Sequence, residues 1–537
     1  MKNKKNMLNP KNLIPVALMV SGCCCVQQSI KPKASSVKNR WESKHVICKD
    51  IKPTSDAYRD GYQRCLVSET VDGEVIPLLS IASVFENKYV PYEDSNRFYS
   101  VWTRDLYWGF LGWAQAGDDS VLQVMKDCIK SLVIAKDKNQ ALGKYHPPIN
   151  DKRYYIPQAF CKGFEIANDF MPQNAESQAH FILLARDYYN LSGDSDFIKS
   201  IWKDLKYVAE TIEKMDTNGN LIPDYIGGSY DYQGVGINTE EPHLSATVIA
   251  TYRAMNDLAK VMNDKTLGNR YVKLAENLKI QMNKPVSEDG LWMPDKKQYI
   301  NMRIINKEGN KPHIDDRFIP YENLTPIFYG VTSKEQEKNI FDTLNKNFKK
   351  FYDLKYGPMY VAGAAKNEKS EFDFTSTPWL GFVDVFIRLR DLPDYNAKWD
   401  KANFNTASKI FKLLLDHAYD IPPGCFTEGM GIYGYLSGCS GRSWDNGNFF
   451  HTLIVGICGL EKSQYGITVT APKQLKSSPI NELKNMCWRN AVYNFEWKGK
   501  GEKIKKVTVD GKIIKAEADG KYLLKDSEGN HNVIISL

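Results

Sequence analysis

Beyond residue 20 this 537-residue chain has no apolar run long enough to cross a bilayer, which excludes a polytopic membrane protein built of helices. Cysteine is sparse. Three of the eleven crowd at Cys23, Cys24 and Cys25, and the other eight are spread too thinly for a disulfide scaffold. Neither Cys-x-x-Cys nor His-Glu-x-x-His occurs, so no metal site with strong spacing is present. Gly227-Gly228-Ser229 lacks the Gly-Lys-Ser/Thr that would make it a phosphate-cradling loop. There is no basic stripe, and the formal charge of +7 is modest for this length. Nucleic acid is therefore not an expected partner.

What is present begins with a leader-like segment. Lys2, Lys4, Lys5 and Lys11 stand without an acidic residue before the short apolar core Leu13 to Val20. Val20-Ser21-Gly22-Cys23 then resembles a bacterial lipoprotein signal, with cleavage before Cys23 and lipid on its thiol. The alternative is an ordinary signal peptide. Loss of residues 1–22 would remove four lysines and lower the charge from +7 to +3. The expectation is a protein of the bacterial cell envelope, lipid-anchored and facing the periplasm or cell surface. Its polar tether would run over residues 23–45.

The rest of the chain reads as helices first and strands last. Apolar residues recur at three- and four-residue steps near 104–116, 119–135, 174–192, 196–215, 242–262, 267–283, 334–350, 376–390, 402–418 and 446–460. Short turns at 116–119, 192–195 and 263–266 join partners. Long connections at 136–173, 216–241, 284–333, 352–375 and 419–445 separate pairs, and loops of that length are uncommon unless functional. One or two further helices are expected within 284–333. This alternation suits helical hairpins in a ring, with the long connections gathered at a binding end. From about 465 the chain alternates or runs β-branched, with Asp-Gly turns at 510–511 and 519–520. That predicts a small β domain at 464–537, a segment at 46–95 packing on the helices, and a helical body at 96–463.

Trp102-Thr103-Arg104-Asp105 places a charge pair among aromatic residues. Read alone it is either a helix-start salt bridge or a holder of vicinal hydroxyls, which carboxylate and guanidinium match well. The motif resembles one near the start of the barrel in six-hairpin glycosidases of the glucoamylase kind. That resemblance implies a mainly α fold, an (α/α)6 barrel of helical hairpins with a small C-terminal β-sandwich domain. It also implies that Arg104 and Asp105 bind sugar hydroxyls, with Trp102 beside them.

A second element, Thr239-Glu240-Glu241-Pro242-His243, precedes a helix containing Arg253-Ala254. Glucoamylases have a similar Glu-Glu pair, which implies Glu240 as general acid and Glu241 as a substrate contact. Pro242 suits the first helical position, which puts Glu241 at the cap, where the helix dipole favours its ionised form. A general acid must stay protonated, so Glu240 is the better candidate on this reading. Asp231 is an alternative acid.

The third element is the glycine-rich loop 421–445. Glycosidases of this type often carry the catalytic base just before the last helix, and Glu428 is the candidate here. Asp445 competes, but it sits where a helix N-cap is expected. Arg442, Trp444 and Trp379 are candidate pocket residues. Cys425 and Cys439 flank the loop and are placed to bridge it in an oxidising compartment. Asp216, Asn218 and Asp224 resemble a calcium loop without its glycine at the sixth position, and read as a polar turn. His180, His243 and His451 read as structural.

Together these features imply an exo-acting, inverting glycoside hydrolase on an oligosaccharide or glycoside, with an α-glucoside favoured and no cofactor. Alternatives are a disaccharide phosphorylase, a carbohydrate-binding lipoprotein and a polysaccharide lyase.

Overall fold

The fold comes from a computed structural model. The residues it describes are 43–80, 100–141, 155–165, 175–224, 238–305, 312–346, 442–473, 479–501 and 503–537, with short pieces between 352 and 437. Cys23, Asp231, Trp379, Cys425, Glu428 and Cys439 lie outside them. So do most of the helices expected at 376–390 and 402–418. Among the described residues no helix is long and apolar enough to cross a membrane.

Helices α1 (Pro53–Gly61), α2 (Thr103–Ala116), α3 (Asp119–Ala141), α4 (Ala175–Ser192), α5 (Ser195–Glu213), α6 (Pro242–Val261), α7 (Lys265–Met282), α8 (Pro320–Phe328), α9 (Lys334–Lys346) and α10 (Ser443–His451) form the body. Each expected hairpin that falls on described residues is there, closed by its short turn. Asp194 caps α5 by accepting from the Phe197 amide at 3.0 Å, and Asp264 caps α7 in the same way through Leu267. Among the described residues of 284–333 the one α-helix is α8, accompanied by short strands.

Burial sorts the helices into two layers. In α5 the buried residues Phe197, Ile198, Ile201, Trp202, Leu205, Val208 and Ile212 form one stripe, so its other face meets solvent. In α2 every residue but Leu111 is buried, and α6 is nearly as enclosed. Such helices are inner elements. The inner helices pack in the order α10, α2, α4, α6, α8, while α3, α5, α7 and α9 cover them. The first turns of these five helices meet at one end of this arc.

Close approach of α2 to α10 depends on glycine. A Cβ on Gly112 would fall 1.7 Å from the Gly447 carbonyl oxygen, and one on Gly447 would fall 2.3 Å from that of Gly109. Trp113 adds an indole N–H to the Ser443 carbonyl at 3.0 Å, which holds the start of α10.

After α10 and the helical turn Thr452–Ile457 the chain enters two sheets. One has three strands, Leu460–Ser463, Gly466–Val469 and Tyr522–Leu524, in that order. The other has five, including Asn490–Lys498 paired in parallel with Glu528–Ser536. Ala491, Tyr493, Phe495 and Trp497 alternate inward along the first of these. One hydrophobic core runs through helices and sheets together. Cys128 and Cys458 belong to it, as expected. At the seam the buried Lys462 ammonium donates to the Ala114 and Gly117 carbonyls, satisfying the C-terminal end of α2.

Candidate active site

Segment 155–160 sets the position of the site's first two charges. Val101–Trp102 pairs with Ala159–Phe160, and Thr103 donates its amide to Gln158 and its hydroxyl to the Pro157 carbonyl. Gln178 of α4 grips the same segment, accepting from the Ile156 amide at 3.0 Å and donating to its carbonyl at 2.7 Å. The starts of α2 and α4 are thereby tied together. Arg104 meets Glu176 there, Nη1 to Oε2 at 3.0 Å.

The charge pair of the sequence motif is therefore not a local salt bridge. Arg104 reaches across to α4, and Asp105 accepts from Arg442 Nε at 2.8 Å on the other side. All four side chains are buried. Trp444 packs against both guanidinium groups, 4.5 Å from that of Arg442 and 5.6 Å from that of Arg104. Trp108 stacks on Trp444. Trp102 instead ends the strand before α2, half-buried, with its indole N–H given to Ser100 at 2.7 Å. The N-cap of α10 is Arg442, so Asp445 is not the cap expected from sequence. The helix starts three residues earlier and draws Asp445 into its buried first turn.

Glu240 and Glu241 lie in different surroundings. Glu240 Oε1 accepts from the side-chain amides of Asn218 and Asn220 at 2.7 and 2.8 Å, and Oε2 accepts from Arg303 Nη1 at 2.6 Å. The polar loop once resembling a calcium site is thus a clamp on Glu240. Asp216 shapes it by accepting the amides of Gly219, Asn220 and Leu221. Burial raises the Glu240 pKa above its ordinary value, while Arg303 and the two amides pull it back.

Glu241 is the N-cap residue of α6, as the following proline predicts. It is not held ionised there. Burial pushes its carboxyl up to about 8; His243 opposes the rise, and Glu322 and Glu176 add to it. A helix dipole contributes only about 0.3–1 kcal/mol in ordinary settings, against shifts of up to roughly 3–5 pKa units for fully buried groups. Desolvation wins. Thr239 donates to Glu241 Oε1 at 2.6 Å, and Oε2 has no hydrogen-bond partner among the described residues.

Five residues not assigned to the site from sequence complete the cluster: Glu176, His180, His243, Tyr321 and Glu322. His243 Nδ1 lies 2.7 Å from Glu322 Oε1, and the His243 amide donates to Glu322 Oε2 at 2.9 Å. Burial works against a charge on His243, but Glu322 and Glu241 raise it to about 9. Tyr321 packs on the His243 ring and points its hydroxyl at Glu176. Burial also acts to raise Glu176, yet Arg104 brings it below its ordinary value. His180 is stacked on Tyr107 and brought by burial down to about 4. Neither of its ring nitrogens has a hydrogen-bond partner among the described residues, and the same holds for His243 Nε2. Buried polar atoms are rarely left so, and their clustering marks a place where polar groups of a ligand fit.

Among the described residues, Glu241, His243 and Glu322 are the one grouping with metal-ligating spacing. Both Glu322 oxygens are already spent on His243. We therefore read His243 and Glu322 as an ion pair with the Glu241 carboxyl beside it.

No family model and no curated protein matches the chain. Solved structures do. A sialidase superposes with a TM-score of 0.58 at 13% identity, over 91% of this chain and 42% of its own. A GH78 family rhamnosidase of Bacillus sp. GL1 gives 0.53 at 11% identity, over 85% of this chain and 42% of its own. The chain spans less than half the length of either, and shares the fold of the superposed part.

Proposed function

We propose that this protein is a glycoside hydrolase with Glu241 as its general acid. The observation that carries the reading is the Glu241 carboxyl. It is enclosed, raised to about 8 and unpartnered at Oε2 among the described residues. A proton donor needs that combination. Beside it His180 and His243 keep ring nitrogens without hydrogen-bond partners among the described residues, suited to sugar hydroxyls, and Trp108, stacked on Trp444, packs against His180. Glu240 fits the role less well, because both of its oxygens already accept strong hydrogen bonds. The two fold neighbours are glycosidases by name.

Every cation of the cluster already has an acid partner: Arg104 has Glu176, Arg442 has Asp105, His243 has Glu322, and Arg303 has Glu240. This favours a neutral, hydroxyl-rich sugar held by Arg104, Asp105, Arg442 and Trp444. Glu428 is proposed as the base that activates water, with Asp445 as its competitor. Inversion would require the two carboxyl groups to stand about 6.5–9.5 Å apart. Exo action, closure of six hairpins into a barrel, preference for an α-glucoside, and a lipid anchor at Cys23 in the cell envelope belong to the same proposal.

The test is a screen of aryl glycosides and oligosaccharides for released sugar, followed by NMR of the first-formed anomer. Inverted product that disappears in Glu241→Gln is expected. Retained product overturns inversion. Full activity in Glu241→Gln overturns the assignment of the acid.

A further inference from the structure

We infer that His243, held by Glu322, is the counter-cation for the negative charge left on Glu241 once that carboxyl has given up its proton; the inference rests on Glu241 being the acid.

The geometry assigns each oxygen a task. Thr239 donates to Oε1 at 2.6 Å, so Oε1 is an acceptor and Oε2 is the oxygen that carries the proton. His243 Nδ1 stands 3.7 Å from Oε2, beyond a hydrogen bond yet close enough for a small shift to make one. Its ring cannot easily turn away. Glu322 takes both the His243 amide and Nδ1, at 2.9 and 2.7 Å, and Tyr321 packs on the ring with centroids 4.7 Å apart.

In the step, the proton on Oε2 passes to the leaving oxygen. The bond from that oxygen to the anomeric carbon breaks with its electron pair staying on the oxygen, while the attacking water bonds to the anomeric carbon and gives its proton to the catalytic base. Glu241 is left as a buried carboxylate, which is costly without a cation. His243 supplies it without crossing any distance, sharing its Nδ1 proton between Glu322 and Glu241. After product departs, Glu241 recovers a proton from water.

The other ionisable groups around His243 are Glu176 and His180 of α4, Tyr321 of α8, and Arg104 of α2 behind Glu176. Arg104 is committed to Glu176, and burial keeps His180 neutral near pH 7. Among the described residues, His243 is thus the cation that faces Glu241 directly. It is a positioning residue and does not itself touch the leaving group.

The experiment uses aryl glycosides whose leaving groups differ in basicity. A dinitrophenolate departs without protonation, while an alkoxide or simple phenolate needs the acid. In His243→Gln, turnover of the poor leaving group is expected to fall roughly tenfold or more, with the dinitrophenyl substrate nearly unaffected. The basic limb of the pH profile moves to higher pH, because Glu241 loses the group that favours its ionised form. Glu322→Gln should reproduce the leaving-group dependence if His243→Gln does not fold. An equal loss on both substrates, or no loss on either, overturns the inference while leaving the hydrolase reading intact. A wild-type protein that cleaves none of the glycosides removes that reading instead.

Discussion

Arg303 lies directly opposite Glu240 in the antiparallel pairing of Thr239–Glu240 with Met302–Ile304, and its guanidinium meets Glu240 Oε2 at 2.6 Å. Successive residues of a strand face opposite ways. Glu240 turning to Arg303 therefore turns Glu241 toward Glu322 and His243. Two adjacent and chemically identical side chains acquire opposite tasks from the period of the strand.

The two glutamates should accordingly fail in different ways. Glu240→Gln leaves the Arg303 guanidinium buried without its carboxylate, a loss of about 3–5 kcal/mol for pairs of this kind. Thermal unfolding should show a marked drop in Tm, and activity should fall only as folded protein is lost. Glu241→Gln keeps shape and hydrogen-bonding capacity and should fold at least as well as wild type, with turnover lost by about two to four orders of magnitude. Activity loss in a fully folded Glu240→Gln protein would reverse the assignment.

Stability should decline with rising pH across the range in which Glu241 and His243 titrate. Both pKa values are raised on folding, from 4.5 to about 8 and from 6.5 to about 9. The folded state holds protons that the unfolded chain releases. Their contribution is complete below about pH 4.5 and is lost as pH climbs towards 9. Glu241→Gln should flatten the Tm-against-pH curve between about 4.5 and 8. In catalysis the same carboxyl predicts a basic limb near pH 8. A steeper Tm decline in the variant would contradict the raised value.

The helical layers were legible because their signals are local. A 3.6-residue period, an Asp cap and a tight turn all lie within one hairpin, as at Asp194 and Asp264. Segment 284–333 resisted because its strands run two or three residues and α8 only nine, too short for a period to show. The site was half legible. Arg104, Asp105 and Glu241 stood out by their neighbours in sequence. Glu176, Glu322 and Arg303 did not, because each is explained by a partner at least 63 residues away. A polar run, Glu176-Ser177-Gln178, opening a helix that turns apolar at Phe181 was the one available signal for Glu176. The dipole argument misjudged Glu241 because burial cannot be read from a cap position.

The crossing of α2 with α10 offers a test of how the fold serves the site. Gly112→Ala puts a methyl group into the Gly447 carbonyl, a contact of 1.7 Å before relaxation. Overpacking costs typically about 1–3 kcal/mol, and here backbone rather than side chain must yield. Separating the helices would also draw Arg442 off Asp105. Gly112→Ala and Gly447→Ala should each lower Tm and raise KM together. An unchanged Tm in either would mean that the helices do not approach so closely.

The Asp105–Arg442 pair lends itself to a double-mutant cycle. Both side chains are buried, with Asp445 3.9 Å from the same guanidinium nitrogen, so Asp105→Asn or Arg442→Met alone breaks a buried ion pair, at a cost of up to about 3–5 kcal/mol. The double variant removes both charges and should cost clearly less than the two single losses added, which is the signature of direct coupling. Sugar binding should behave otherwise. If Asp105 and Arg442 also hold hydroxyls, the double variant recovers stability but not affinity, since the ligand loses donors and acceptors at once. KM should therefore remain raised in a protein whose Tm has returned towards wild type. Recovery of both would reduce the pair to a strut between α2 and α10, and would leave Arg104 with Glu176 as the polar grip on the sugar.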